Sequence, residues 1–420
     1  MRVNAIVGQS GGPTAAINAT LAGVIRGAFQ SAEIDKIYGM INGMQGFING
    51  NMILLNGIFQ NEKKENLTLL RNTPAAALGS CRLKLPDAAS DEKKDIGIYE
   101  KIFGLLAEKN IKYLFYIGGN DSMDTVKKLS SYAEKKGADV KIVGVPKTID
   151  NDLSCTDHAP GYGSAAKYIA ATMQEICHDN AIYPLKSVVI VEIMGRDAGW
   201  LTAASALPRL YGGKSPDLLY LPEVEFSDEK FLTDIERKFE TRRDIVISVS
   251  EGIKYADGRY VCETGVNHET DIFGHKKLTG AADRLMYIVK ERFNCKVRAI
   301  ELNVPQRCAS HIASLCDLTE SEEIGIKAVE AAVGGKSGIM MTMKRISSNS
   351  HPYKIAVGYE NIENIANKIK TVPPEYINGE SNNVADECLK YIAPLVIGEP
   401  EIIYQNGIPK FFIFQNCKTP

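Results

Sequence analysis

Short, almost continuous apolar runs recur along this chain, each followed by a glycine-rich or polar stretch and then a helical pattern. That alternation limits the available folds more than any other feature. The runs are NAIVG (Asn4–Gly8), YLFYIGG (Tyr113–Gly119), VKIVGV (Val140–Val145), SVVIVEIMG (Ser187–Gly195) and IVISVSEG (Ile245–Gly252). A strand with one wet face alternates apolar and polar residues, whereas strands this uniformly apolar are covered on both faces, as in parallel sheets packed between helices. Helical patterns follow from about Ala15 to Ala28 and from about Ser122 to Lys136, the second stopped by Gly137. The expected architecture is α/β: two Rossmann-like domains with mostly parallel sheets covered by helices, plus a C-terminal extension. At 420 residues two cores are expected. The expected division is 1–160, completed by part of 306–370, then 161–305, then an extension over 371–420. In that extension TVPPEYINGESNN reads as loop, and EPEIIYQNGIPKFFIF reads as a hairpin turning at Asn-Gly. The tail is expected to be an appendage to the body that carries the chemistry.

The formal net charge of -2 gives no reason to expect a polyanion or a membrane surface as partner, so any anion site must be local. No apolar run approaches the roughly 20 residues that cross a bilayer, and the first residues, MRVNAIVGQSGG, lack a signal-peptide pattern. The nine cysteines form no C-x-x-C pair, which fits reduced thiols and a cytoplasmic location.

In parallel sheets, ligands bind beyond the carboxyl ends of the strands, and here those ends are chemically loaded. GQSGGPT (Gly8–Thr14) joins a strand to a helix, so its glycines admit a ligand to the backbone and the helix start favours phosphate. The plain alternative is a tight turn. GGNDS (Gly118–Ser122) has the same setting; Asp121 either caps the helix or faces a ligand, and Asn120 offers an amide oxygen to a magnesium–phosphate complex. PKTIDND (Pro146–Asp152) sets Lys147, a hydroxyl and two carboxylates on one loop. A carboxylate beside that lysine is expected to be fully ionised and able to accept a hydroxyl proton. Base, cation and metal together are what phosphoryl transfer requires. The competing reading is an exposed loop held by Asx turns. MGRDAG brings Arg196, whose forked donors suit phosphate or an ion pair with Asp197. Arg82, Arg298 and Arg307 are further phosphate candidates, and Glu251 is placed to accept from sugar hydroxyls.

Other patterns carry less. GGKS occurs at Gly212–Ser215 and Gly334–Ser337, but Pro208 and Glu330 stand where a P-loop has its first glycine. GYGSAA (Gly161–Ala166) follows TDHAP rather than a strand, so a dinucleotide site, and with it a nicotinamide-dependent oxidoreductase, has little support. The six histidines form no metal-binding pair, and Trp200 is expected to pack.

Taken in order, GQSGGPTAAINA, LGSCR, GGNDS, PKTIDND, VEIMGR, PEVEF and SEG resemble the landmarks of the phosphofructokinase family, from about Asn4 to beyond Arg307. The resemblance implies that Asp150 is the base for the 1-hydroxyl of fructose 6-phosphate. Thr148, Ile149 and Asp152 lie around it, and Met194, Gly195 and Arg196 border the sugar phosphate. Glu251 and Arg307 hold the same substrate, while Gly11, Gly12 and Arg82 line the donor. Asn120 stands at the Mg2+ position. Arg298 matches an arginine that reaches a neighbouring subunit's site, which implies a homodimer or homotetramer with shared sites. The chain departs from the family at Asn120, where Asp is common, and at Val304, where a histidine is lost. It departs again at Ser187, where the other cross-subunit arginine stands, with Lys186 next door. ATP-using bacterial members carry glycine at the positions of Lys147 and Asp121; pyrophosphate-using members resemble this chain at both. The resemblance therefore implies reversible transfer from pyrophosphate to fructose 6-phosphate, a step of glycolysis and gluconeogenesis. An ATP-dependent enzyme is the first alternative. A non-catalytic regulatory subunit is the second, and the presence of Thr148, Asp150 and Asp152 speaks against it.

Overall fold

The computed structural model describes residues 2–60, 64–88, 92–264, 280–346 and 353–414. The chain begins with β1 (Val3–Gln9), β2 (Ile34–Met40), β3 (Met52–Leu54), β4 (Ile111–Gly118) and β5 (Lys141–Pro146). It then builds β6 (Ser187–Ile193), β7 (Leu218–Tyr220), β8 (Glu225–Phe226), β9 (Asp244–Ser250), β10 (Lys254–Tyr255) and β11 (Lys296–Glu301). It returns as β12 (Ile339–Arg345) and β13 (Ile355–Asn361), and ends in the small ladder β14 (Tyr404–Gln405) and β15 (Ile408–Pro409).

Two main sheets result. The seven-stranded sheet has the order β13-β12-β5-β4-β1-β2-β3, and the four-stranded sheet has the order β11-β6-β9-β7. The second sheet is wholly parallel, and the first is parallel except at its edges β3 and β13. The reason is legible in β6, SVVIVEI, where every residue is buried and the strand has no wet face. Apolar side chains pack against helices on both faces of each sheet. The Asn406-Gly407 turn of the expected hairpin has both residues at positive φ, 53° and 81°, as a two-residue hairpin turn requires.

Register decides where the chemistry meets. Gln9 pairs with Ile117, and Gly118 pairs with Pro146, so GQSGGPT, GGNDS and PKTIDND leave one sheet end side by side. The chain runs from β1 outward to β2 and then returns to β4 on the other side, which opens the crevice such a reversal creates. In the second sheet Ile193 pairs with Ser250, bringing MGRDAG beside SEG.

The C-terminal stretch corrects the expectation of an appendage. Val372, Val384, Cys388, Leu389, Ile392 and Leu395 are buried in one core with Ile149, Tyr162 and Trp200. Leu389→Ala is expected to cost about 2–5 kcal/mol of stability. The measurement is the midpoint of chemical unfolding; an unchanged midpoint would return the segment to appendage status.

Candidate active site

The loops described above converge on Lys147. Gly11 sits at φ +77°, a conformation that favours glycine, and a side-chain carbon added there would lie 3.4 Å from Lys147 Nζ. A carbon added at Gly12 would lie 3.8 Å from an Arg307 guanidinium nitrogen. The glycines thus leave backbone facing cations, which is the arrangement an anion uses. Lys147 Nζ donates to Gly12 O at 2.6 Å, and its backbone N donates to Gly118 O at 2.9 Å, tying all three loops together. LGSCR joins the same wall: Gly11 N donates to Cys81 O at 3.1 Å, and Ser80 Oγ donates to Gly11 O at 2.7 Å.

Burial sets the electrostatics. Lys147 is only 3% exposed, and desolvation lowers its pKa to about 8, opposed by Asp150 and Asp152 and reinforced by Arg307 and Arg82. The Asp150 carboxyl is pushed well above the usual carboxylate range, first by desolvation and then by Asp152, against the pull of Lys147 and Arg196. The sequence-based expectation of a fully ionised Asp150 is therefore corrected: loss of water outweighs the nearby cations. Asp152 is raised as well, chiefly by burial. Thr148 Oγ1 accepts from Asp150 N at 3.1 Å, so the loop is braced internally.

The opposite wall comes from the second sheet. Gly195 N donates to Glu251 Oε1 at 3.3 Å, and Met194 N donates to Gln306 Oε1 at 3.1 Å. Glu251 is raised to about 8 by burial and then by Asp150, so the two carboxyl groups face one cleft, with Arg196 near both. Asp197 pairs with Lys254 at 3.5 Å. Arg307 Nε is buried without a hydrogen-bond partner among the described residues, an orphaned donor where an anion would bind.

Not every sequence-predicted residue joins this cluster in the expected way. Ile149 is 7% exposed and packs its side chain into the core with Tyr162 and Trp200, so it anchors the loop rather than meeting a ligand. Asn120 spends much of its amide on neighbouring backbone: Oδ1 accepts from Asn367 N at 2.9 Å, and Nδ2 donates to Lys368 O at 2.8 Å. Asp121, beside it, is exposed, and its carboxylate pairs with Lys84 at 3.8 Å. Arg298 lies apart, on the edge strand β11, exposed and 4.0 Å from Asp179. The sequence reading missed Gln306, Asn151 and Lys370. The last two are tied to each other at 3.2 Å, with Asn151 standing between the two acids in the chain. Asparagine in a D-N-D loop and lysine in NKIKT read as solvated residues, so no local pattern marked them.

Residues 4–332 match the family profile described as Phosphofructokinase. The pyrophosphate–fructose 6-phosphate 1-phosphotransferase of Halomonas elongata is 38% identical over 410 residues, covering 97% of this chain and 95% of that protein. The protein of the same name from Methylococcus capsulatus is 36% identical over 420 residues, covering 99% and 97%. Among solved structures, the pyrophosphate-dependent phosphofructokinase of Nitrosospira multiformis superposes with a TM-score of 0.85 at 34% identity, covering 97% of this chain and 95% of that one. With its motifs gathered in one cleft and most of its length inside that profile, the chain belongs to the phosphofructokinase family.

Proposed function

We propose that this protein transfers a phosphoryl group from pyrophosphate to the 1-hydroxyl of fructose 6-phosphate, giving fructose 1,6-bisphosphate and phosphate, reversibly. The observation that carries the reading is the buried Lys147 ammonium set between the Gly11–Gly12 backbone and the Asp150–Asp152 carboxylates. A small dianionic or trianionic donor brings the charge that this cation and Arg307 await, and needs no adenosine pocket. The near-full-length similarity to proteins named for that reaction supports it. The donor half is assigned to 1–160 with part of 306–370, and the sugar half to 161–305.

Within the cleft, Asp150 accepts the proton of the attacking hydroxyl as the oxygen bonds to phosphorus. Binding of the dianionic sugar phosphate and of the donor brings further charge, which Arg196, Arg307 and Lys147 offset. Glu251 accepts from sugar hydroxyls, while Met194 and Gly195 present backbone at the sugar-phosphate end. Gly11, Gly12 and Arg82 border the donor. Asn120 fits Mg2+: its Oδ1 keeps one lone pair after accepting from Asn367. Asn120 would hold the ion through that one amide oxygen, which suits a metal that dehydrates reluctantly. When bound, it supplies charge neutralisation at the transferring phosphorus.

The test is a coupled assay with each donor at fixed magnesium. Fructose 1,6-bisphosphate forms with pyrophosphate; product from ATP alone would replace this reading with the ATP-dependent one. The same assay against pH is expected to be bell-shaped. Activity falls on the acid side as the raised Asp150 carboxyl gains its proton, and on the alkaline side as Lys147 loses its own near pH 8. Lys147→Arg removes the alkaline limb if it retains turnover, because a guanidinium stays charged; a limb that persists at the same pH belongs to another group.

The partner is a second copy of this chain. Arg298 projects from edge strand β11, near the exposed Ile182, Tyr183 and Leu185 that precede β6. Arg298→Ala is expected to raise KM for fructose 6-phosphate about tenfold or more and leave KM for pyrophosphate unchanged. Co-refolding it with Asp150→Asn restores activity, because one site of the mixed dimer then has both residues. If, at fructose 6-phosphate well below the parent KM, the mixture is no more active than the sum of its parts, the shared site is excluded. The eight cysteines among the described residues are all free thiols, which supports a cytoplasmic setting.

A further inference from the structure

The segment 367–372, between the last strand of the large sheet and the C-terminal core helix, touches three loops of the cleft, GGNDS, PKTIDND and MGRDAG. Asn367 N and Lys368 O hold the Asn120 amide at the start of helix Asn120–Lys136. Ile369 bridges Leu153 in antiparallel fashion, and Lys370 N donates to Asp152 O at 2.7 Å. Trp200 Nε1, just beyond MGRDAG, donates to Lys370 O at 3.1 Å. Glu223 Oε1 accepts from both Val372 N at 2.8 Å and Gly199 N at 2.9 Å. Three loops from two sheets are thus fastened to one strap of backbone.

The strap carries one side chain inward. The Lys370 ammonium uses its three donors on Asn151 Oδ1 at 3.2 Å, Thr156 O at 3.2 Å and Asp157 O at 2.7 Å. Asn151 is fully buried and sits at φ 54°. Its oxygen also accepts from Ala159 N at 3.2 Å, and its nitrogen donates to Tyr391 Oη at 3.0 Å. Held on three sides, it turns the backbone so that Asp150 and Asp152 leave it toward the cleft. The charged and titratable groups facing Lys370 are Asp157, Asp152 and Arg345.

We propose that Lys370, on the 367–372 strap, is a positioning residue that fixes the Asp150 and Asp152 carboxylates by gripping Asn151 between them. The proposal rests on the reading of Asp150 as the base. Reaction of a hydroxyl at phosphorus needs the base placed closely, and a shift of about 1 Å costs on the order of 10²-fold in rate. The strap arrives from far along the sequence and fixes that placement from behind, without touching substrate.

The experiment is steady-state kinetics on Lys370→Met, Asn151→Ala and their combination, each also built on Asp150→Asn. Lys370→Met is expected to lower kcat about 10- to 100-fold with both KM values within about threefold of the parent, the signature of a lost transition-state placement. The double variant is expected to fall by much less than the product of the two single losses, since both release the same loop. On Asp150→Asn, Lys370→Met is expected to change the residual rate little, because no base remains to be placed. A folded Lys370→Met with kcat within twofold of the parent overturns the proposal. So does a loss of the same size on Asp150→Asn, which marks general damage. Should Lys370→Met fail to fold, Trp200→Phe removes the indole hold on the strap while keeping an aromatic ring in that core. It must then show the same pattern at a few-fold size, and an unchanged kcat overturns the proposal equally. If the reading of the reaction itself is wrong, Asp150→Asn alone keeps its rate, and that control is separate from every strap variant.

Discussion

Asp150→Asn lowers turnover by roughly 10²- to 10⁴-fold, the range for loss of a general base, with both KM values little changed. The substitution keeps the shape of the side chain and the Asp150 N to Thr148 Oγ1 hydrogen bond, so the loop is expected to stay folded. It also relieves the repulsion that Asp152 and Glu251 exert on this carboxyl. The variant should therefore be no less stable than its parent, and the acid limb of the pH profile should vanish with the rate. These two results separate a chemical role from a structural one. A tenfold or smaller loss, with the acid limb in place, would assign the proton transfer to another group. Asp152 would then be the first to examine, because it shares the loop and is also raised by burial.

The expected pH dependence depends on something that was not legible in the residues. In the sequence, Lys147 stands three positions before Asp150, and a cation so close argues for a carboxylate ionised at any ordinary pH. The structure reverses the balance because all the ionisable groups of PKTIDND are drawn under the strand ends, where desolvation exceeds the pairwise attractions. Local spacing shows which charges are neighbours; it does not show how much water the fold removes from them. The strands were legible for a related reason. A run such as SVVIVEI has only one way to hide every residue, so its place inside a covered parallel sheet follows from composition. Loop partners at large sequence separation have no such signature. Lys370 meets Asn151 across 219 positions, and nothing in NKIKT distinguishes that lysine from a solvated one. Asn120 illustrates the intermediate case. Its position at a strand end was readable, but the capture of its amide by Asn367 and Lys368 depends on a segment whose path only the fold supplies.

Donor choice is expected to show the second large effect. Lys147→Gly combined with Asp121→Gly lowers kcat/KM for pyrophosphate by roughly thirty- to several-thousand-fold. That range follows from the about 2–5 kcal/mol lost when one partner of a buried, hydrogen-bonded charge pair is removed, at about 1.4 kcal/mol per factor of ten. Most of the loss should reside in Lys147, which is 3% exposed and braces the Gly12 carbonyl at 2.6 Å. Without it the donor meets two carboxylates with one cation fewer. Lys147→Met separates charge from volume: it fills the space, leaves no cavity, and should still lose most of the pyrophosphate activity. Asp121 acts differently. Its exposed carboxylate stands at the first turn of helix Asn120–Lys136, where it is expected to repel any further phosphate of a longer donor. Asp121→Gly alone should therefore change pyrophosphate use less than Lys147→Gly does, and should lower KM for ATP. An enzyme built for ATP would respond in the opposite sense, losing little when both side chains become glycine. If the double variant keeps pyrophosphate kcat/KM within threefold of the parent, these two side chains do not select the donor. The selection would then lie with Arg82 and Arg307, the other cations that face Lys147.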